Sequence, residues 1–184
     1  LTLAPLGTLV TLLAAYPLAY WLALRCDPRW RLFLLVLVIV PFWTSLLIRT
    51  YAWIFILGGR GLPALIGWFG LGEPRLINTP FAVLLGIVYG YLPLMVFPIY
   101  VSLEKIDPRL IEASKDLYAS RTKAFLKVVL PLSMPGVFAA VLLTSIPAIG
   151  DYVNAAVLGG PGTAMIGNVI QSEFLRDRNY PEAA

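Results

Sequence analysis

The sequence predicts an all-α protein, a polytopic transmembrane helix bundle. Of the 184 residues, 59% are hydrophobic and only 13% are charged, and the mean hydropathy is +0.82. A soluble domain carries about a quarter charged residues and about half apolar ones. The apolar residues here are also gathered into long uncharged runs, which the surface of a globular domain could not cover.

Four uncharged runs carry this hydrophobicity: Leu1–Leu24, Leu32–Ile48, Ile77–Leu103 and Val128–Gly150. About 20 helical residues are needed to cross a ~30 Å hydrocarbon core. Three of the runs reach that length, and the second does so if its helix continues past Arg49 to Leu57. We therefore predict four membrane helices in a single transmembrane domain over residues 1–184.

The two ends of the chain suggest a fragment. Leu1 lies inside the first apolar run, which is longer than the apolar core of a signal peptide. The last residues, 179–184, form a pattern typical of a helix start with nothing after it. We therefore expect a domain that is truncated at both ends.

Basic residues predict the orientation in the membrane. The segments Arg25–Arg31 and Glu104–Lys127 hold nine lysines and arginines, whereas the opposite side holds four, at positions 60, 75, 176 and 178. The positive-inside rule therefore places the first two segments in the cytoplasm. The net charge of +4 follows from this bias and does not imply binding to nucleic acid.

Residue types that commonly carry out catalysis or bind metal ions are scarce in this sequence. Histidine is absent, and Cys26 is the single cysteine, so neither a zinc cluster nor an intrachain disulfide is expected. No phosphate-binding Gly-x-x-x-x-Gly-Lys-Ser/Thr loop occurs, and residues 159–162 are interpreted as a turn. We predict no catalytic residues, no metal site and no cofactor bound by this chain.

The segment 104–127 has the features of a structured insert. Asp107 followed by Pro108 predicts a helix start, and Ser120 predicts the cap of a second helix. The first helix would place apolar residues on one side and charged ones on the other. A helix of about ten residues is marginal alone in water, so we expect its apolar face to pack on something. Pro131 and Pro135 should then break or kink the start of the fourth span.

The insert resembles the cytoplasmic EAA loop of binding-protein-dependent ABC importer permeases. The family pattern falls without a gap on Glu112, Ala113, Ser114, Tyr118, Val128, Leu130 and Pro131, with Ser114 in place of an alanine and Tyr118 in place of the glycine. The resemblance implies a type I ABC importer permease fold and a coupling helix that docks on an ATPase subunit. The implied coupling residues are Glu112, Ala113, Ser114, Asp116, Leu117 and Tyr118. A hairpin that merely lies on lipid headgroups is the alternative.

Tyr118 leaves two possibilities open. A glycine at this position permits a sharp turn or a close approach of a partner to the backbone. With tyrosine, either the helix continues through residue 118 or the contact with the partner is repacked.

Other stretches resemble spermidine/putrescine-type permeases in particular. They are the sequences at residues 41–53, 78–80, 88–96, 146–153 and 158–161. The resemblance implies about six spans in the intact subunit and a location in the bacterial inner membrane. It also implies a second permease subunit, ATPase subunits that bind ATP and Mg²⁺, and an extracytoplasmic substrate-binding protein.

Polyamines are elongated cations, which aromatic faces and carboxylates attract. The candidate pathway residues are Trp43, Tyr51, Trp53, Tyr89, Asp151 and Tyr152. Ionisable residues at membrane depth, here Arg49 and Asp151, indicate functional sites by default. The alternatives are that these two residues pair or snorkel and that the aromatic residues form interfacial belts.

Three rival functions remain open from the sequence. The same class of importer could carry another cargo, such as an opine, an amino-acid derivative or a metal chelate. An ion-coupled secondary transporter would need carboxylates at the membrane midplane, and the apolar runs contain none. A membrane-bound enzyme would need a catalytic constellation, which we do not find in the sequence.

Overall fold

The computed structural model describes residues 2–59, 61–69, 74–116, 120–160, 163 and 165–172. All regular secondary structure within these ranges is helical, as the sequence predicts. The helices are α1 (Leu3–Leu24), α2 (Pro28–Trp43), α3 (Leu46–Leu57), α4 (Leu62–Trp68), α5 (Pro80–Glu104), α6 (Pro108–Asp116), α7 (Arg121–Ala124), α8 (Leu130–Ile149), α9 (Tyr152–Leu158) and α10 (Ile166–Ser172), with a π-helical turn at Phe125–Val129 between α7 and α8.

Three helical segments in the described residues are long and apolar enough to cross a membrane. They are α1, α5 and the continuous helical segment Arg121–Ile149. A fourth span results only if the broken pair of Pro28–Trp43 and Leu46–Trp68 is counted as one. The four spans predicted from the sequence therefore require this interrupted pair to be counted as one span.

The second apolar run does not continue to Leu57 as one helix, which was the condition for it to span the membrane alone; helix reaches Leu57 only after a break. Helix α2 ends at Trp43, and Ser45 has an extended backbone (φ −55°, ψ 135°) before α3 begins at Leu46. Short hydroxyl side chains compete with the helix for backbone hydrogen bonds, so Thr44–Ser45 is a suitable place for a break. The apolar run hides this break because hydropathy does not distinguish a continuous helix from two consecutive ones.

Of the predicted break or kink at Pro131 and Pro135, the break is absent, because the segment Arg121–Ile149 is one continuous helix. The helix continues through Pro131 and Pro135, and the irregularity lies just before them, in the π-helical turn. There the Leu130 N–H donates to the Phe125 carbonyl, five residues back. Proline lacks the N–H for a normal helical bond and its ring crowds the carbonyl four residues earlier, so a wider turn accommodates Pro131 without ending the helix.

The described residues form two compact units by their contacts. The first unit comprises those within Leu1–Thr11, Phe42–Tyr91 and Ser145–Ala184. Its core includes Leu57, Val83, Ile87 and Leu158, which are almost completely buried. Asn78, in the left-handed region at φ 60°, donates its N–H to the Leu158 carbonyl and so joins the start of α5 to the end of α9.

The second unit comprises Leu12–Pro41 and the described residues of Leu92–Thr144, and it contains the insert. Its buried core includes Leu22, Met95, Ile99, Leu103 and Val129. Within it the Tyr16 hydroxyl and the Ser133 hydroxyl are hydrogen-bonded at 2.8 Å, which links α1 to α8. The insert is therefore built on a packed helical base.

Candidate functional site

The first helix of the insert begins where the sequence predicts. Asp107 Oδ1 accepts a hydrogen bond from the Arg109 N–H at 2.9 Å, and Pro108 is the first helical residue. The carboxylate satisfies one of the N–H groups that a helix start leaves unpaired, and proline has no N–H to leave unpaired. The start of α6 is thus determined by these two adjacent residues.

Helix α6 has one anchored side and one side open to partners. Ile111 anchors the helix by packing against the core of the second unit. The Ser114 hydroxyl donates within α6, to the Ile111 carbonyl at 2.7 Å. Glu112, Ala113 and Asp116 are exposed. The charged residues predicted to contact an ATPase therefore lie on accessible surface.

Two of the predicted coupling residues, Leu117 and Tyr118, lie outside the described residues. The sequence pattern of α6 places Leu110 with Ile111 on its apolar side, but Leu110 is 48% exposed. The apolar face of this short helix is consequently narrower than its sequence pattern indicates, and the core contact is made by Ile111.

The second part of the insert is fixed to α1 by aromatic contacts. Ser120 Oγ accepts the Lys123 N–H at 3.3 Å, which confirms the predicted cap of α7. The Phe125 ring then lies 5.8 Å from the Tyr16 ring and 5.6 Å from the Tyr20 ring, edge to face in both cases. Such pairs contribute about 1 kcal/mol each beyond area burial. A displacement of α7 would therefore have to break the contacts of Phe125 with Tyr16 and Tyr20 on α1.

An ion pair that the sequence analysis missed lies at the start of the insert. Arg31 on α2 lies 3.5 Å from Glu104 Oε1, and the Tyr100 hydroxyl donates to the same oxygen at 2.9 Å. The sequence did carry a signal for this pair. Arg31 directly precedes one apolar run and Glu104 directly follows the next, both on the side predicted to be cytoplasmic. This pair links α2 to the end of α5, directly before the insert.

The first unit contains a buried polar cluster around Asp151, which is 6% exposed. Asp151 Oδ1 accepts the Asn154 N–H at 3.1 Å, so the residue caps α9. Asp151 Oδ2 accepts the Asn154 side-chain N–H at 2.6 Å and the Tyr91 hydroxyl at 3.1 Å. A carboxylate offers about four lone-pair positions, so these donors hold it in one orientation.

Two further residues complete this cluster. The Thr50 hydroxyl lies 3.5 Å from Asn154 Oδ1, while donating to the Leu46 carbonyl at 2.8 Å. Gly86 makes room for the amide, because a Cβ at that position would lie 3.1 Å from Asn154 Oδ1. Asn154 and Thr50 were not predicted as site residues, and only the proximity of Asn154 to Asp151 in sequence could have indicated one of them. Tyr91, two residues from the predicted Tyr89, had an aromatic side chain on the same span as its signal.

The predicted aromatic pathway residues do not form one group. Trp53 and Tyr89 contact each other edge to face with ring centres 5.5 Å apart, and the Arg49 guanidinium lies 5.9 Å from the centre of the Tyr89 ring. Trp43 is 84% exposed, and Tyr51 and Tyr152 are exposed as well. Of the six predicted residues, the structure therefore brings together only Trp53 and Tyr89, while Asp151 joins Tyr91 and Asn154.

The described part of the chain contains no group of three or more histidine, cysteine, aspartate or glutamate residues placed to hold a metal ion. What the described residues do present is a set of long apolar helices, a folded polar insert and a buried carboxylate. These features define a multi-span helical membrane protein in which a capped insert links two of the spans.

The chain belongs to the family described as "Binding-protein-dependent transport system inner membrane component", whose sequence profile matches residues 15–181. This confirms the family resemblance derived from the insert, and it confirms the predicted location in the inner membrane.

Curated relatives are permease proteins of transport systems. The chain is 44% identical over 184 residues to the spermidine/putrescine transport system permease protein PotB of Haemophilus influenzae. The aligned region covers 98% of this chain and 64% of that protein. The chain is also 42% identical over 187 residues to PotB of Escherichia coli, covering 100% of this chain and 68% of that protein. The chain thus spans about two thirds of the length of these relatives. The predicted resemblance to spermidine/putrescine-type permeases is confirmed.

A solved structure shares the fold. A chain of a bacterial ABC transporter described as importing the acidic polysaccharide alginate superimposes with a TM-score of 0.79 at 19% identity, covering 99% of this chain and 68% of that chain. At this identity the match supports the fold alone, and it confirms the predicted ABC importer permease architecture.

Proposed function

We propose that this chain is the membrane-spanning part of a permease subunit in an ATP-driven importer of polyamines such as spermidine and putrescine. The observation that carries the proposal is the 44% identity to a spermidine/putrescine permease over almost the whole chain. The helical fold, the folded insert and the buried carboxylate agree with that role. ATP hydrolysis would belong to a partner chain, where ATP and Mg²⁺ bind.

The insert is the proposed contact with the ATPase. Its exposed residues, Glu112, Ala113 and Asp116, lie on a helix whose other side is anchored to the core through Ile111. A partner that pushes on α6 would therefore move a packed element rather than a loose loop. Phe125, held between Tyr16 and Tyr20, extends that mechanical connection to α1.

The remaining partners are proposed from the family. A second permease subunit would complete the translocation pathway, and an extracytoplasmic binding protein would deliver the substrate. The name of the family describes transport that depends on a binding protein. A transporter structure related to the alginate one contains a periplasmic protein with bound alginate pentasaccharide, and its chain matches with a TM-score of 0.77 at 20% identity.

Asp151 is the residue proposed to attract a cationic polyamine electrostatically within the membrane. Its carboxylate is buried and oriented by Tyr91 and Asn154, and at modest effective dielectric a cation about 4 Å away would gain a few kcal/mol. The Trp53–Tyr89 pair supplies aromatic faces in the same unit. We keep Trp43, Tyr51 and Tyr152 as candidate contacts that another subunit would have to complete.

Transport measurements test the cargo. The full-length subunit would be purified with its partner chains, reconstituted into liposomes, and supplied with binding protein, ATP and radiolabelled spermidine. We expect ATP-dependent spermidine uptake that excess putrescine inhibits and an unrelated sugar does not. Uptake of an amino-acid derivative or a metal chelate, with none of spermidine, would reject the polyamine assignment while leaving the importer class intact.

The coupling role predicts a large effect of Glu112→Lys. Reversing a charge at a protein interface costs several kcal/mol when it meets a like charge, so we expect ATPase association and uptake to fall about tenfold or more. ATPase association and uptake should fall less in Glu112→Gln, because glutamine keeps the shape of the side chain. Arg29→Glu is the matched control, because Arg29 is exposed on the same predicted side but outside the insert. Normal ATPase association and uptake in Glu112→Lys would rule out docking at this residue.

A further inference from the structure

The Tyr91 hydroxyl has one proton and two acceptors within reach. It lies 3.1 Å from Asp151 Oδ2 and 3.3 Å from the Pro147 carbonyl oxygen. A phenolic hydroxyl carries a single hydrogen, so it donates fully to only one of these oxygens at a time. Tyr91 belongs to α5, whereas both acceptors lie where α8 ends and α9 begins. The hydroxyl can therefore exchange one acceptor for the other by reorienting its O–H bond.

The Pro147 carbonyl is available because α8 ends two residues later, at Ile149. The last four carbonyls of a helix receive no N–H from within that helix. Past the helix end the Asp151 N–H is directed to the Ala148 carbonyl, at 3.5 Å, and not to Pro147. The Pro147 carbonyl is thus open to a side-chain donor, and the Tyr91 hydroxyl is placed to supply it.

A cation can reach Asp151 Oδ2 only by displacing a neighbour, because Asp151 is buried and this oxygen already accepts two hydrogen bonds. Asn154 is poorly suited to move. Its backbone N–H and its amide both donate to Asp151, and Thr50 and Gly86 enclose its side-chain oxygen. Tyr91 is half-buried, comes from another helix and has a second acceptor. Tyr91 is therefore the donor that can be exchanged.

We propose that Tyr91 sets how strongly the carboxylate of Asp151 holds a cation. This inference rests on the proposed binding of a polyamine at Asp151. In the empty site the Tyr91 hydroxyl donates to Oδ2. An arriving ammonium group takes that oxygen while the hydroxyl turns to the Pro147 carbonyl, and the return of the hydroxyl helps the ammonium group to leave.

The physical reason for such a competitor is the strength of a buried ion pair. A carboxylate that is shielded from water attracts a cation far more strongly than one in bulk solvent. A transport pathway must bind its cargo well enough to admit it and weakly enough to release it. Because the displaced hydroxyl of Tyr91 finds a neutral carbonyl, the cost of displacing it is moderate, and the site stays usable for transport.

Tyr91→Phe tests this proposal, because it removes the hydroxyl and keeps the ring. The displacement cost that it removes is the difference between a hydrogen bond to a charged acceptor and one to a neutral carbonyl. We therefore expect the purified complete transporter, without binding protein or ATP, to bind radiolabelled spermidine about fivefold more tightly. The maximal rate of uptake into liposomes should fall, because the cation leaves the carboxylate more slowly. A purely structural role of the hydroxyl would give weaker binding instead.

Tyr100→Phe is the matched control. Tyr100 lies on the same helix, and its hydroxyl also donates to a carboxylate oxygen, Glu104 Oε1. The same atom is therefore removed away from Asp151, and the affinity for spermidine should be unchanged. Asp151→Asn should bind spermidine more weakly than the unaltered complex. Because Tyr91 acts through the carboxylate, the double change Asp151→Asn with Tyr91→Phe should bind no differently from Asp151→Asn alone.

The outcomes separate this inference from the proposed function. Spermidine binding that Tyr91→Phe leaves unchanged or weakens would overturn the inference and leave the polyamine assignment standing. A double change that differs in affinity from Asp151→Asn alone would overturn it as well. An unaltered complex that neither binds nor imports spermidine would reject the polyamine assignment itself, and the inference with it.

Discussion

Replacing Asp151 with alanine is expected to lower the stability of the subunit by about 3 kcal/mol. Loss of a helix N-cap costs about 1 kcal/mol, and leaving the buried Asn154 amide and the Tyr91 hydroxyl without their acceptor costs about 2 kcal/mol more. The loss would be measured as a fall in the thermal unfolding midpoint of the purified full-length complex.

Asp151→Asn keeps the helix cap and removes the charge. Asparagine caps helices about as well as aspartate, so this variant should lose less stability than Asp151→Ala and keep its assembly with the ATPase. Its side-chain NH2 replaces the oxygen that accepts from Asn154 and Tyr91, so the unfolding midpoint is measured together with uptake. The negative charge is lost, however, and a favourable interaction of a few kcal/mol with a cationic substrate would be lost with it. We expect polyamine uptake to fall about tenfold or more.

The double change Asp151→Asn with Asn154→Asp is the matched comparison, because it returns a carboxylate to the same cluster and keeps a capping residue at 151. Partial recovery of uptake is expected if the charge itself is required. Full uptake in Asp151→Asn alone would show that the carboxylate is structural. Restored folding and uptake in the double change Asp151→Asn with Arg49→Gln would lead to the same conclusion, with Arg49 as its partner.

Gly136→Val is expected to prevent normal packing of α8 on α5. An added Cβ would lie 2.6 Å from the Pro98 carbonyl oxygen and would also overlap the Ser102 side chain. A backbone atom cannot rotate away as a side chain can, so the two helices must separate. Overpacking of this kind typically costs about 1–3 kcal/mol, and we expect the upper end of that range.

Gly59→Ala is the control for this prediction, because a Cβ there would meet nothing within 4 Å. It should leave the yield of folded protein and the unfolding midpoint unchanged, while Gly136→Ala should fall between the two. The measurement is the amount of monodisperse complex recovered, together with its unfolding midpoint. Recovery of Gly136→Val at the level of Gly59→Ala would mean that α5 and α8 are not in close contact at this point.

Local signals in the sequence predicted the secondary structure of the insert well. The starts of α6 and α7 depend on Asp107–Pro108 and on Ser120, and each cap is a contact between residues at most three positions apart. Such contacts are encoded in consecutive residues, so they can be predicted without tertiary information. The long apolar helices were predictable for a similar reason, since crossing a membrane requires a minimum length of apolar sequence.

Irregular backbone within the apolar runs was not predictable in the same way. The break at Thr44–Ser45 and the π-helical turn at Phe125–Val129 change neither hydropathy nor charge. Proline at 131 indicated a disturbance, but whether a helix ends or widens depends on how well its neighbours hold it. Here Phe125 is held by Tyr16 and Tyr20 from α1, more than 100 residues earlier in the chain.

By itself, the sequence determined the class of fold, the apolar runs, the caps of the insert and the family to which the chain belongs. The tertiary structure decided which polar residues from distant parts of the chain meet: Tyr91 at Asp151 and Arg31 at Glu104. The physical reason is distance along the chain. Tyr91 and Asp151 are 60 residues apart, and only the packing of whole helices brings a hydroxyl within 3.1 Å of a carboxylate.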